Sequence, residues 1–188
     1  RIAAGTFLAA ILSTKGSGIV NGINPEHLPM ELKKLGEMGA KIDSTETSIN
    51  IEYRDNLQSI ELSTLPFPGI ATDLQPIFGS ALLLAEGTSI LTENVYDQRF
   101  QWIPEVQRMG ANIQTGWQHA MIKGVESLSG APVHATDIRT GASLIIASLQ
   151  ADGLSTITGI DHINRGYEDI VTSLSSLGST IEYNNTNG

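Results

Sequence analysis

The 188-residue sequence contains no cysteine. Disulfides, thiolate metal sites and cysteine nucleophiles are therefore excluded within it, and a cytoplasmic setting is the expectation. Histidine is scarce as well: His27, His119, His134 and His162 have no metal-ligand spacing. Positive charge is in short supply, with 11 Lys and Arg against 20 Asp and Glu, a formal net charge of −9. That balance argues against nucleic acid or an anionic membrane as a partner, because both demand a basic face. No apolar run approaches the roughly 18 residues of a membrane helix, and the first residues lack the basic-then-apolar order of a signal peptide. An anionic ligand would thus have to meet a local cluster of arginines.

What is present is enough for a core. A hydrophobic content of 40 % over this length predicts one globular domain. The chain opens on Arg1, and Phe7–Leu12 reads as helix already under way, so an excised part of a longer protein is expected.

The chain repeats itself three times. Gly16, Gly87 and Gly153 each open a short β-branched run, at offsets of 71 and 66 residues. Gly39, Gly110 and Gly178 close similar helical segments at offsets of 71 and 68. In the second unit Leu74, Ile77, Phe78, Ala81, Leu82 and Ala85 recur at helical spacing. Thr72 with Gln75 three residues on has the spacing of a capping box, Pro76 suits a first turn, and Gly87 is expected to end the helix. A second helix follows through Phe100, Ile103 and Val106 to Gly110, then a Gly-Ala-x-Ile strand and hairpin strands such as Ile49–Tyr53 and Ala120–Lys123. One such unit has too little apolar surface to stand alone, so a pseudo-threefold α/β domain is predicted, with units of about 1–64, 65–132 and 133–184.

Repetition separates fold from chemistry, since folding asks for the same residues in every unit and chemistry does not. Twelve positions after the leading glycine stand Leu28, Arg99 and Arg165. Ala71-Thr-Asp-Leu-Gln75 and Ala135-Thr-Asp-Ile-Arg139 occupy equivalent helix starts. A guanidinium matches carboxylate or phosphate, and a helix start disfavours a cation, so Arg99 there points to an external anion. The alternatives are solvated arginines, and for Asp73 and Asp137 ordinary helix-start acids.

Four segments carry a resemblance: Leu65-Pro-Phe-Pro-Gly-Ile-Ala-Thr-Asp-Leu-Gln75, Gly87-Thr-Ser-Ile-Leu-Thr-Glu-Asn94 with Arg99-Phe100, Leu128-Ser-Gly-Ala-Pro-Val-His-Ala-Thr-Asp-Ile-Arg139, and Arg165-Gly-Tyr-Glu168. Through essentially its whole length the sequence resembles the C-terminal domain of the enolpyruvyl transferases that act on UDP-N-acetylglucosamine. Their sister enzymes, the 5-enolpyruvylshikimate-3-phosphate synthases, match less well. The resemblance implies three α/β units with helices inside and sheets outside, a partner half and a short N-terminal strand segment absent from this sequence, and no cofactor or metal. It implies transfer of enolpyruvyl from phosphoenolpyruvate to a sugar 3-hydroxyl, for peptidoglycan precursor synthesis in the cytoplasm, by a chain inactive alone. Asp73 resembles the acid that takes the hydroxyl proton, with Thr72 beside it. Val95 resembles the residue whose backbone meets the sugar nucleotide. Arg99, Arg139 and Arg165 resemble the arginines that hold phosphoenolpyruvate, and Asp137 a second active-site acid. The family usually has Gln, His and Asp where Ile77, Trp102 and Asn164 stand. A non-catalytic binding module, or transfer to shikimate 3-phosphate or another hydroxyl compound, are the competing readings.

Overall fold

The computed structural model describes residues 1–184. In the first unit α1 (Ile2–Ser13) leads into β1 (Ser17–Asn21), α2 (Pro29–Glu37), β2 (Ala40–Ser44), β3 (Ser48–Tyr53) and β4 (Glu61–Ser63). The second holds α3 (Gln75–Ala81), β5 (Thr88–Thr92), α4 (Ile103–Arg108), β6 (Asn112–Gly116), β7 (His119–Lys123), β8 (Leu128–Ser129) and β9 (Pro132–His134). The third holds α5 (Ile138–Gln150), β10 (Ala151–Asp152), β11 (Thr156–Thr158), α6 (Asp161–Asn164) and α7 (Ile170–Ser176).

The helices α1, α3 and α5 pack against one another at the centre, and the sheets lie outside them. All seven residues of α3 are buried, including Ile77 and Phe78 at 0 % exposure. Side chains of that kind contribute roughly 1.5–3 kcal/mol each by leaving water. Gly79 lets the indole of Trp102 lie directly against α3: a Cβ there would fall 2.5 Å from the ring.

The sheets stitch the units together. In the first, β1 and β2 flank β3, all antiparallel. In the second, β5, β7 and β6 form an antiparallel set that takes in β4, from the preceding unit, as a parallel edge strand. In the third, β10 and β11 pair in parallel with β8 and β9, again contributed by the preceding unit.

The repeated glycines behave alike at the second position. Gly39, Gly110 and Gly178 have φ of 107°, 99° and 97°, the left-handed region that a side chain disfavours, each just after the last helix of its unit. The leading glycines are less uniform. Gly87 and Gly153 share positive φ, but in the first unit Lys15 carries it, at 59°, instead of Gly16. Nor does Gly87 end α3, which stops at Ala81; the chain turns through Leu82–Leu84, and Gly87 bends it into β5. In the third unit Ser179–Ile181 forms no strand, as no second strand lies beside it among the described residues.

The expected capping box at Thr72 does not form. Thr72–Leu74 is a separate 3-10 turn, α3 begins at Gln75 with Pro76 in its first turn, and no side chain caps either. The side chains that would close the box are taken elsewhere: the Thr72 hydroxyl accepts from Arg99, and the Gln75 carbonyl oxygen accepts from the buried Trp102 indole N–H at 3.1 Å.

Candidate functional site

Two 3-10 turns face each other across the second unit, Thr72–Leu74 and Arg99–Trp102. Two side-chain rungs join them, Arg99 Nε to Thr72 Oγ1 at 3.0 Å and Trp102 Nε1 to Gln75 Oε1. The inner rung is buried and the outer one borders solvent. Asp73 is thereby held beside Arg99, whose Nη2 lies 3.4 Å from Asp73 Oδ1. From the third unit, the first turn of α5 brings Arg139, whose Nε donates to the same Oδ1. One carboxylate oxygen thus serves two guanidinium groups, while Oδ2 takes no hydrogen bond among the described residues.

The electrostatics follow from this arrangement. The hydrogen bond to Asp73, followed by partial burial in the opposing direction, leaves Arg139 with a raised pKa. Arg99 is lowered, first by burial and then by the like charge of Arg139, with Asp73 acting against both. The Arg99 guanidinium also sits 4.6 Å from the centre of the Tyr96 ring, a cation–π contact. Arg99 thus meets Asp73 and Tyr96 within the chain and also lines the cavity described below.

Asp137 is the N-cap of α5. Its Oδ1 accepts from the backbone N–H of Arg139 at 2.7 Å and of Thr140 at 3.2 Å, and its Oδ2 from the Thr140 hydroxyl at 2.9 Å. Burial pushes its pKa up, but these three donors and the Arg139 charge outweigh burial and bring it below the ordinary 3.8. A carboxyl depressed in the folded state stabilises the fold above its unfolded pKa, and that contribution disappears as pH falls through the lower folded value. Asp137→Asn keeps an oxygen that can cap α5 and loses only the charge at the helix start, so it is expected to cost about 0.3–1 kcal/mol at neutral pH. The gap between variant and wild type should close as pH drops below the ordinary carboxyl value, and denaturant titrations at neutral and strongly acidic pH check this.

Arg99, Asp137 and Arg139 line one cavity of about 470 Å³ together with Tyr96 and Thr140, and Asp73 adjoins it through the two arginines that it binds. A second cavity of about 500 Å³, between the C-terminal ends of α1 and α5 and helix α7, has no charged side chain in its lining. The chemistry belongs to the first. Val95 is half exposed on the loop between β5 and Arg99; its N–H donates to Glu93, and its carbonyl accepts no hydrogen bond among the described residues.

Arg165 does not join this group. It caps α6 at its C-terminal end, is exposed, lines neither cavity and makes no side-chain hydrogen bond or ion pair among the described residues. Its neighbour Tyr167 is buried and donates to the Thr6 hydroxyl at 2.8 Å, since Thr6 spends its own proton on the Ile2 carbonyl. Burial raises the Tyr167 pKa, and the bond to Thr6 acts against it. In the first unit, Leu28 at the position of Arg99 is buried core. The substituted positions Ile77 and Trp102 are also core, at 0 % exposure, and neither lines the cavity.

Residues 1–174 match the family described as EPSP synthase (3-phosphoshikimate 1-carboxyvinyltransferase). The chain belongs to that family. Within the EPSP synthase family, the UDP-N-acetylglucosamine 1-carboxyvinyltransferase of Thermotoga maritima is 46 % identical over 183 residues, 97 % of this chain and 44 % of that protein. Its counterpart in Nocardia farcinica is 42 % identical over 182 residues, 97 % and 43 % of the two chains. This chain thus spans less than half the length of those relatives. Among solved structures, the enolpyruvyl transferase NikO from Streptomyces tendae superposes with a TM-score of 0.86 at 26 % identity, over 96 % of this chain and 43 % of NikO. EPSP synthase from Acinetobacter baumannii shares the fold, with a TM-score of 0.79 at 22 % identity over 96 % and 46 %. The chain has the fold of an enolpyruvyl transferase domain.

Proposed function

We propose that this chain is the C-terminal half of an enzyme that moves the enolpyruvyl group of phosphoenolpyruvate to the 3-hydroxyl of UDP-N-acetylglucosamine, releasing phosphate, in cytoplasmic peptidoglycan precursor synthesis. The observation that carries this reading is Asp73 held between Arg99 and Arg139, two arginines that line one cavity. A sugar hydroxyl adding to C2 of phosphoenolpyruvate must lose its proton while C3 gains one. Asp73 Oδ2 takes the hydroxyl proton, with Oδ1 anchored by the arginines so that the carboxylate is oriented. Arg99 and Arg139 meet the phosphoenolpyruvate carboxylate and phosphate, neutralising charge in the tetrahedral adduct until phosphate leaves C2 and a proton leaves C3. Arg165 joins them when the site is filled. Asp137 keeps a negative charge beside the reacting carbon, and Thr72 fixes Arg99. Val95 offers its free carbonyl to the sugar nucleotide.

Two of the three positions that depart from the family, Ile77 and Trp102, lie in the core and outside the cavity lining, which favours catalysis over a binding module; the third, Asn164, is exposed beside Arg165. The test is phosphate release from phosphoenolpyruvate by the full-length protein, with UDP-N-acetylglucosamine or shikimate 3-phosphate as acceptor. Release with the sugar nucleotide alone is expected, and none from this chain by itself. Release with shikimate 3-phosphate instead would reassign the acceptor, and release with neither would leave a binding module.

A further inference from the structure

Glu93 and Thr64 are two polar residues at 0 % exposure that the chemistry above does not use. They follow β5 and β4, strands that run parallel side by side, so both leave the sheet at the same end. Glu93 Oε1 accepts three hydrogen bonds: from the Thr64 hydroxyl at 2.7 Å, the Val95 N–H at 2.9 Å and the Tyr96 N–H at 3.0 Å. Thr64 Oγ1 in turn accepts the Asn94 N–H at 2.9 Å, and the Thr64 carbonyl accepts the Asn94 side-chain amide at 3.1 Å. The backbone N–H groups of Asn94, Val95 and Tyr96 are thus held by two neighbouring oxygens. Thr64 also opens the stretch that ends at Thr72 and Asp73. The pair therefore fastens the loop bearing Val95 to the segment bearing the acid.

A turn can be held by an uncharged cap, and burying a carboxylate is costly unless donors and charge offset it. Glu93 Oε2 is itself buried and without a partner. What the carboxylate adds is one oxygen that accepts three donors at once. The loop held in this way carries the Val95 carbonyl, which accepts no hydrogen bond among the described residues.

We infer that Glu93 and Thr64 form a latch that sets the Val95–Tyr96 loop for the sugar nucleotide, making Glu93 a positioning residue for the acceptor and not for phosphoenolpyruvate. This rests on the enolpyruvyl-transfer reading. Thr64→Val keeps the side-chain shape and removes the hydroxyl, Thr64→Ser keeps the hydroxyl, and Glu93→Gln removes the charge. In the full-length protein, Thr64→Val and Glu93→Gln are expected to raise KM for UDP-N-acetylglucosamine about tenfold, the scale of one lost hydrogen bond, and to leave KM for phosphoenolpyruvate within about twofold. Thr64→Ser should restore wild-type values. Equal changes in both KM values, no change in either, or a serine variant as impaired as the valine one would overturn the latch.

A second measurement separates this from the function. Amide hydrogens of Val95 and Tyr96 should exchange slowly in the wild type and about tenfold faster in Thr64→Val or Glu93→Gln. Unchanged exchange in whichever of the two variants folds overturns the latch, even where the wild type transfers nothing to the sugar nucleotide and only the proposed reaction fails.

Discussion

Asp73→Asn in the full-length enzyme is expected to lower turnover by about 10²- to 10⁴-fold, the range spanned by positioned general bases. The substitution is a narrow one. Asparagine keeps an oxygen that accepts from Arg139 and sits near Arg99, so the rungs from Arg99 to Thr72 and from Trp102 to Gln75 stay in place. What disappears is the ability of the second oxygen to take a proton. A loss confined to the transition state lowers kcat and kcat/KM together, while KM for the sugar nucleotide moves little. Single-turnover kinetics would locate the loss in the chemical step. Turnover within about tenfold of wild type would remove Asp73 from the proton-acceptor role and leave it as an anchor for two arginines.

The largest expected effect on stability comes from Trp102→Ala, about 3–5 kcal/mol by analogy with other buried tryptophans. The indole is fully buried, lies against α3 where Gly79 has no side chain, and donates to Gln75. Removal opens a hole over Gly79, and the Gln75 carbonyl oxygen loses its donor next to an amide nitrogen that already has no partner. Against a typical total of 5–15 kcal/mol, such a loss is severe. Trp102→Phe keeps most of the ring and should cost about 1–3 kcal/mol, the price of one buried acceptor left unpaired. Guanidinium titration of the three proteins gives both differences. A shift below about 1 kcal/mol for the alanine variant would mean that α3 closes over the space without help from the ring.

The three-unit architecture was legible because it is written in backbone requirements. Gly39, Gly110 and Gly178 recur because each unit needs a left-handed residue after its last helix, and all three adopt it. The hairpins followed from alternation that leaves one face buried, as in β3, where Ile49 and Ile51 are at 0 % exposure. The capping box failed for a tertiary reason. Thr72 and Gln75 have the right spacing, but Arg99 and Trp102, 27 residues away, compete for their side chains and win. Spacing read Gly87 as a helix stop, although the chain bends after Ala81 and uses the glycine to enter a strand.

At the site, Arg99 and Arg139 stood out because equivalent positions hold Leu28 and Gln75, while Asp73 and Asp137 recur at equivalent helix starts, and the structure gathers all four. Arg165 carries the same signal and lies apart. Thr64 and Glu93 carried no signal of their own. Nothing in spacing reveals that two residues 29 positions apart share one buried proton donor and acceptor pair.

The strand exchange between units bears on how the domain comes apart. Strand β4 precedes α3 in sequence but pairs with β5, and β8 and β9 pair with β10 and β11. In a solenoid each repeat keeps its own hydrogen bonds and can fray from an end. Here, melting the first or second unit takes strands from its successor's sheet, and melting any unit uncovers the three-helix centre, so the domain is expected to unfold as one cooperative unit, with the repeats surviving as a record in its sequence.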